Sequence, residues 1–596
     1  MASFNNTIIT KKGHALIAKI VAGTATPNFT KIRTSDHQYP SGTNFEELTS
    51  LSGIKQTVDV ASVTKVSPAK IRVSGVFTNA DLEAGYYVRN IGLYAIDPQE
   101  GEILYSITTA IEADWMPPQG GISASSILVD IETVVGNADN VNITVNPNAT
   151  ATVEMVNNLA AEIADVKGFI GYTENDIVGV EADFVNNKFT RLAGAINKTP
   201  GADFDSINAF GGRKRCILTD DGVVLAYYGE PGYVETGKLT QAITIGEEEN
   251  AVTYPVGTPV QVMVEQPKFY YKVVPLQLEP ITDGIGYHLR KARYYVSDTP
   301  KVGFKVHPAF VRNGIEVDKI YLSAYEGSIY DESAGTYLLA DEQIADFNAD
   351  KLSSIAYAKP ASGLTQNLTR ANTRKLAENR GAGWQQKDVL CASASQMLMM
   401  IEYAAFNMQS AIGLGVVNKP SGEGNESELT GATTNLGNAS GMAVGTNGLV
   451  SISYRGEENF WGNIWKWIDG LNVYIDPDTR KTDAYWAAEN FADDTGSAPY
   501  KHVGFNLAPN ADGYVSAFGW SEECDFLFLP TETLGNSALP VGDRFYNTQT
   551  GWRVARLGGA WDSGLLAGAF SWSVNYSSAY RIRHFGGGAV YVPQAS

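Results

Sequence analysis

Cysteine is nearly missing: 596 residues hold three, Cys216, Cys391 and Cys524. They are widely separated and form no C-x-x-C. Neither a disulfide framework nor a zinc site follows, and three small buried hydrophobes are expected instead. Histidine is sparse too: His14, His37, His288, His307, His502 and His584 are scattered along the chain. No apolar run is long enough to span a bilayer, so no membrane insertion is expected. The opening stretch MASFNNTIITKKGHALIAKIVAG puts lysines inside its apolar part and lacks a signal pattern, which predicts synthesis in a cytoplasm without secretion. There is no G-x-S-x-G, G-x-x-x-x-G-K-[ST], G-x-G-x-x-G or H-E-x-x-H, so the common nucleophile, phosphate and zinc-protease sites are not indicated. Cationic side chains are also short: 45 Lys and Arg stand against 65 Asp and Glu, a net charge of −20. That balance argues against nucleic acid and against anionic membranes as partners. Asp476-Pro477-Asp478 and Asp493-Asp494 are acidic enough to ligate calcium, but exposed acidic loops are the commoner meaning. Carboxylates are too plentiful for a glycosidase pair to be singled out. No metal, no cofactor and no enzyme activity are expected.

What is present reads as several β-rich folded units, with 44% hydrophobic residues and length for more than one core. Residues 1–148 form a first unit. A short helix over 12–22 places Leu16, Ile17, Ile20 and Val21 on one face, and alternating strands follow around Val73, Ile91, Val129 and Ile143. Residues 149–168 read as a helix in which Thr152, Val156, Leu159, Ile163 and Val166 keep heptad spacing. One amphipathic helix folded onto a neighbour and a trimeric coiled coil both fit that spacing. Residues 169–200 read as a linker or collar. Residues 201–596 read as one large domain. It holds two strands around the Asp221-Gly222 turn, a helix over 369–380 capped by Thr369, a Met-rich helix over 393–408, and a Gly/Asn/Ser-rich loop over 413–450.

The end of the chain departs from ordinary patterning. Between Gly558-Gly559, Gly564, Gly568 and Gly586-Gly587-Gly588 sit Asp562, Ser563, Leu565, Leu566, Ser571, Ser573, Asn575, Tyr576, Tyr580, Ile582 and His584. They show no helical period and no sustained alternation. Rigid aromatics mixed with small polar groups are the composition of a recognition surface, and a set of final core strands with decorated loops fits the same composition. Upstream, Trp461-Gly462 and Trp465 form a tryptophan cluster suited to scaffold.

Three resemblances give these patterns an expected meaning. The Thr10-Lys11-Lys12-Gly13 opening, the Arg89-Asn90-Ile91-Gly92-Leu93-Tyr94-Ala95 strand and the Asn137-Ala138-Asp139-Asn140-Val141 end resemble the attachment domain of phage tail-collar fibre proteins. The run Tyr454 to Gly470 around Trp461 and Trp465 resembles the core of the C-type-lectin-like fold shared by formylglycine-generating-enzyme relatives and retroelement-variable proteins. The run Arg556-Leu557-Gly558-Gly559-Ala560-Trp561, then Ala567-Gly568-Ala569-Phe570, Ser577-Ser578 and Arg581, resembles the variable region of proteins diversified by diversity-generating retroelements, here about 556–588. The eleven residues named above match its variable sites; Trp461, Gly462, Trp465, Gly558, Gly559, Trp561 and Gly568 match its scaffold. Formylglycine-generating chemistry needs paired cysteines, and Cys524 has no partner in sequence, so the fold is implied without the activity.

The implied fold class is α+β and multidomain: a β-rich attachment domain, a trimeric coiled-coil stalk, and a C-type-lectin-like receptor-binding domain. The implied protein is a homotrimeric phage or prophage tail fibre. It would be fixed to tail or baseplate proteins by the first unit and would bind a host surface protein or glycan through the last, so its place would be the virion tail. A cellular retroelement-diversified surface lectin and a fibre-borne polysaccharide depolymerase are the alternatives.

Overall fold

The computed structural model describes residues 3–67, 70–80, 82–119, 126–135, 172–247, 250–338, 344–364, 366–422 and 424–594. The chain divides into two compact units, Met1–Ala160 and Ala161–Ser596, both built mainly of β-sheet. The heptad positions Thr152, Val156, Leu159, Ile163 and Val166, and the Asn137 to Val141 motif, lie outside the described residues.

In the first unit the helix Lys11–Val21 begins where Thr10 caps it, its Oγ1 accepting from Gly13 N at 3.0 Å. Leu16 and Ile20 turn inward as their spacing predicts, Ile17 is half-buried, and Val21, expected on the same face, is 67% exposed at the end of the helix. A Cβ at Gly13 would lie 2.2 Å from the Tyr105 carbonyl, so the helix docks only because this position has no side chain. It packs on a six-stranded sheet ordered Ser3–Phe4, Gly101–Met116, Tyr86–Asp97, Phe29–Ser35, Ile54–Asp59, with Ile8–Ile9 also on Gly101–Met116. A three-stranded sheet, Ser62–Ser67, Lys70–Thr78 and Ser126–Val134, completes the unit. Ile32, Val73, Leu93, Tyr105 and Ile131 share one apolar core. The Arg89 to Ala95 motif lies in the strand Tyr86–Asp97, where buried Asn90 donates Nδ2–H to the His37 carbonyl at 2.8 Å.

The second unit starts earlier than the sequence suggests. Val178–Asp183 and Lys188–Ala193 form a hairpin on the edge of a seven-stranded sheet, paired to Tyr287–Ser297 and through it to Tyr270–Pro280. Residues 178–193 are therefore part of this sheet, not a linker. Val178, Val180, Ala182 and Phe184 are buried, while Glu181 pairs with Lys291 and Arg293, over a hundred residues away.

A six-stranded sheet is ordered Val224–Tyr227, Lys214–Leu218, Gln261–Pro267, Lys319–Ser323, Ala589–Tyr591, Trp384–Gln386. The Asp221-Gly222 turn joins the first two of these, with Gly222 at φ +84°. Thr369 caps Arg370–Glu378 as expected, its Oγ1 accepting from Asn372 N at 3.2 Å. The Met-rich helix runs Val389–Tyr403, not 393–408. Asp388 caps it, Oδ1 accepting from Leu390 N at 2.8 Å and Cys391 N at 2.9 Å, and Ala404 ends it in the left-handed region at φ +49°. The helix is buried from Val389 to Glu402, so no polar face marks its ends in the sequence. All three cysteines are buried and free.

An eight-stranded sheet carries the end of the chain. Its order is Lys501–Asn506, Thr482–Trp486, Trp465–Ile475, Gly551–Leu557, Trp572–Tyr576, Arg544–Asn547, Ala511–Tyr514, with Phe585–Gly586 parallel to Trp465-Lys466. Trp461 lies in the turn leading into the strand Trp465–Ile475, fully buried, its Nε1–H donating to the Leu414 carbonyl at 3.1 Å.

Candidate functional site

Alternate residues of the strand Gly551–Leu557 enter different layers. Ala555 and Leu557 join the main core of the unit. Val554 joins a separate cluster of Val416, Trp465, Trp467, Ala560, Trp561 and Phe585, against which Tyr546, Tyr576 and Ile582 pack half-buried. The candidate residues lie on the loops and the strand that cover this outer cluster.

The first loop, 558–570, is held by backbone bends. Gly558 and Gly559 have φ of +102° and +90°. A Cβ at Gly568 would fall 2.0 Å from Asp543 Oδ1, so only glycine lets this loop close on the buried carboxylate. Asp543 Oδ2 accepts from Phe570 N at 2.6 Å, while Oδ1 is buried without a partner. Burial pushes this carboxyl well above the ordinary carboxylate range. Within the loop Ser563 Oγ accepts from Ala560 N at 2.9 Å, Leu565 is 49% exposed and Leu566 is half-buried.

The second loop, 577–584, faces the first. Asp562 Oδ2 lies 3.2 Å from His584 Nε2, and this contact holds its carboxyl below the usual range. The His584 ring stacks on Trp561 at 4.1 Å between centroids. Tyr576 and Tyr580 pack at 4.3 Å, with Tyr580 39% exposed. Ser578 Oγ reaches Asp494 Oδ2. Asn575 Oδ1 accepts from Thr548 N at 2.7 Å, and Ile582 packs half-buried on the outer cluster.

Two of the eleven candidates are internal. Ser571 is fully buried, its Oγ within 2.9 Å of the Leu566 carbonyl and 3.0 Å of the Arg544 carbonyl, so it ties the first loop down. Ser573 is fully buried opposite Arg556 in the strand pair. Neither can touch a ligand while these contacts hold. Asp562, Ser563, Leu565, Leu566, Asn575, Tyr576, Tyr580, Ile582 and His584 keep part or more of their surface open.

The centre of the site is a residue that sequence reasoning missed. Arg556 is 7% exposed, and its guanidinium lies 4.1 Å from the Trp465 ring centroid, 4.1 Å from that of Phe585 and 4.4 Å from that of Tyr576. Such stacking satisfies a buried cation only in part. The scaffold assigned to Trp461, Trp465 and Trp561 is all interior. Among the described residues no group of three or more His, Cys, Asp and Glu is placed to hold a metal ion. Asp476 caps its own turn and Asp493 pairs with Arg370 and Arg374.

No family model and no curated protein matches this chain. Among solved structures it is similar to one named Major Tropism Determinant U1 Variant, at 12% identity and a TM-score of 0.24 over 72% of this chain and 97% of that one. A likeness that distant establishes neither the fold nor the function of this chain.

Proposed function

We propose that this chain is a phage tail-fibre receptor-binding protein that attaches its particle to a host-cell surface molecule through the face formed by residues 558–584. The observation that carries this reading is the layering of the second unit. Nine open, chemically varied side chains sit on two loops and the end of one strand over an eight-stranded sheet; glycine bends and buried Ser571 hold the loops from beneath, and the Trp561–His584 and Tyr576–Tyr580 ring contacts involve three of the nine. Binding positions on loops over a fixed scaffold can change with little effect on the core. The sequence resemblances to a tail-collar attachment domain and to a lectin-like variable domain point the same way, and residues 149–168 would trimerise the fibre.

Each face need bind only weakly. A Kd of about 1 µM corresponds to roughly −8 kcal/mol, and three linked faces raise apparent affinity about a hundredfold. Purified full-length protein should compete with the particle for adsorption to its host. The Tyr576→Ala, Tyr580→Ala double variant should not compete, while its melting temperature stays within a few degrees of the parent. If the parent does not compete, the reading is wrong.

A further inference from the structure

The reading of 558–584 as the attachment face leaves open what it attaches to, and the ligand class inferred from its charge rests on that reading. We propose that Arg556 is the anchor of an acid-binding pocket, and that the ligand is a surface polysaccharide bearing carboxylates.

The first observation is an imbalance. Buried arginines of the main core have carboxylates: Arg213 has Glu457, Arg370 has Asp493, Arg455 has Glu402. Arg556, as deeply placed, is paired with no carboxylate among the described residues, and its Nε is buried without a hydrogen-bond partner. Burial lowers its pKa to about 9, which still leaves it cationic at neutral pH. A desolvated cation that lacks its counter-charge is a receptor for one, since a charge-assisted bond formed there is not screened by water.

The second observation is the local charge. The chain as a whole carries −20, yet its stretch 551–594 contains four arginines and one carboxylate, Asp562, which faces His584, while Asp494 reaches the second loop through Ser578. A local excess of cationic side chains on an acidic protein favours anionic partners there. Arg581 is exposed.

The third observation selects a sugar over an acidic protein loop. Arg556 is 7% exposed within its cage of three rings. Beside it the Tyr576–Tyr580 pair offers aromatic surface, with Tyr580 39% exposed, on which a pyranose can lie flat.

The test is retention of the full-length protein on immobilised polygalacturonate, alginate and polysialate, with dextran as the neutral polymer and poly-glutamate as the acidic peptide. We expect retention on at least one acidic polysaccharide, none on dextran, and elution by salt. Arg556→Met should weaken retention on the order of thirtyfold or more, as loss of a buried charge partner does. Arg581→Gln, at an exposed position where folding is not at stake, should weaken it several-fold, and exposed Lys214→Gln should leave it unchanged. Absence of retention on every acidic polysaccharide, equal retention on dextran, or an equal loss with Lys214→Gln overturns the proposal. Retention on poly-glutamate alone assigns the pocket to a protein acid and overturns it also. If the parent blocks adsorption but binds no acidic polysaccharide, and Arg556→Met blocks as well as the parent, this inference falls and the attachment reading stands. Retention without competition for adsorption gives the reverse.

Discussion

The two faces of the strand Gly551–Leu557 make the sharpest contrast in the molecule. Below it, Ala555 and Leu557 enter an apolar core that extends from Val178 to Val592 in sequence and is crossed by fully paired ions such as Arg455 with Glu402. Above it, Val554 and Arg556 enter a small cluster roofed by half-buried Tyr546, Tyr576 and Ile582. The arginines of the lower layer have carboxylate partners, and the upper layer has an arginine with no carboxylate partner among the described residues, beneath open rings. Folding energy is concentrated beneath the strand and exchangeable contact above it.

The contrast breaks first at Trp461, which is wholly inside the lower layer. Trp461→Ala should cost about 3–5 kcal/mol, read by denaturant unfolding. If it proves no worse than Tyr580→Ala, the layering is not energetic. Arg455→Met should come next, at about 3 kcal/mol, because it strands the buried carboxylate of Glu402, to which Arg455 donates twice at 2.7 Å. Asp543 sharpens the comparison through pH. Its folded pKa is raised, so the folded state binds the proton more tightly than the unfolded chain does. Stability therefore falls as pH rises from the ordinary carboxylate range through the folded pKa. The parent should lose on the order of 1 kcal/mol or more relative to Asp543→Asn between pH 4 and pH 8. An unchanged difference across that range would mean the carboxyl titrates normally. At the small end, Leu565→Ser in the upper layer should shift stability by less than about 0.5 kcal/mol, read by the same denaturant unfolding.

Local signals were legible where a few neighbouring residues decide the outcome. Thr369 and the Asp221-Gly222 turn act within a few positions of themselves, and each stands where its sequence context places it. Trp461 and Trp465 were readable as interior because so large an apolar surface is rarely left in water. What failed was set by distant partners. The strand Val178–Asp183 looked like a linker because its neighbour Tyr287–Ser297 supplies the pairing and the countercharges. The start of Val389–Tyr403 was invisible because core surrounds it on every side. Ser571 and Ser573 looked like recognition residues by type, but their burial is decided by Arg544, Leu566 and Arg556. The arginine cage was hidden for the same reason, since Trp465 and Phe585 come from widely separated stretches.

The strand Ala589–Tyr591 lies between Lys319–Ser323 and Trp384–Gln386. It is the keystone of that sheet, and the ribosome reaches it only after every codon of the exposed loops has been read. A stop or a shifted reading frame anywhere in 558–584 deletes it, leaving two open strand edges where a closed sheet should be. A chain cut short in these loops thus loses the strand that closes its own sheet, whereas an in-frame substitution there leaves that strand in place.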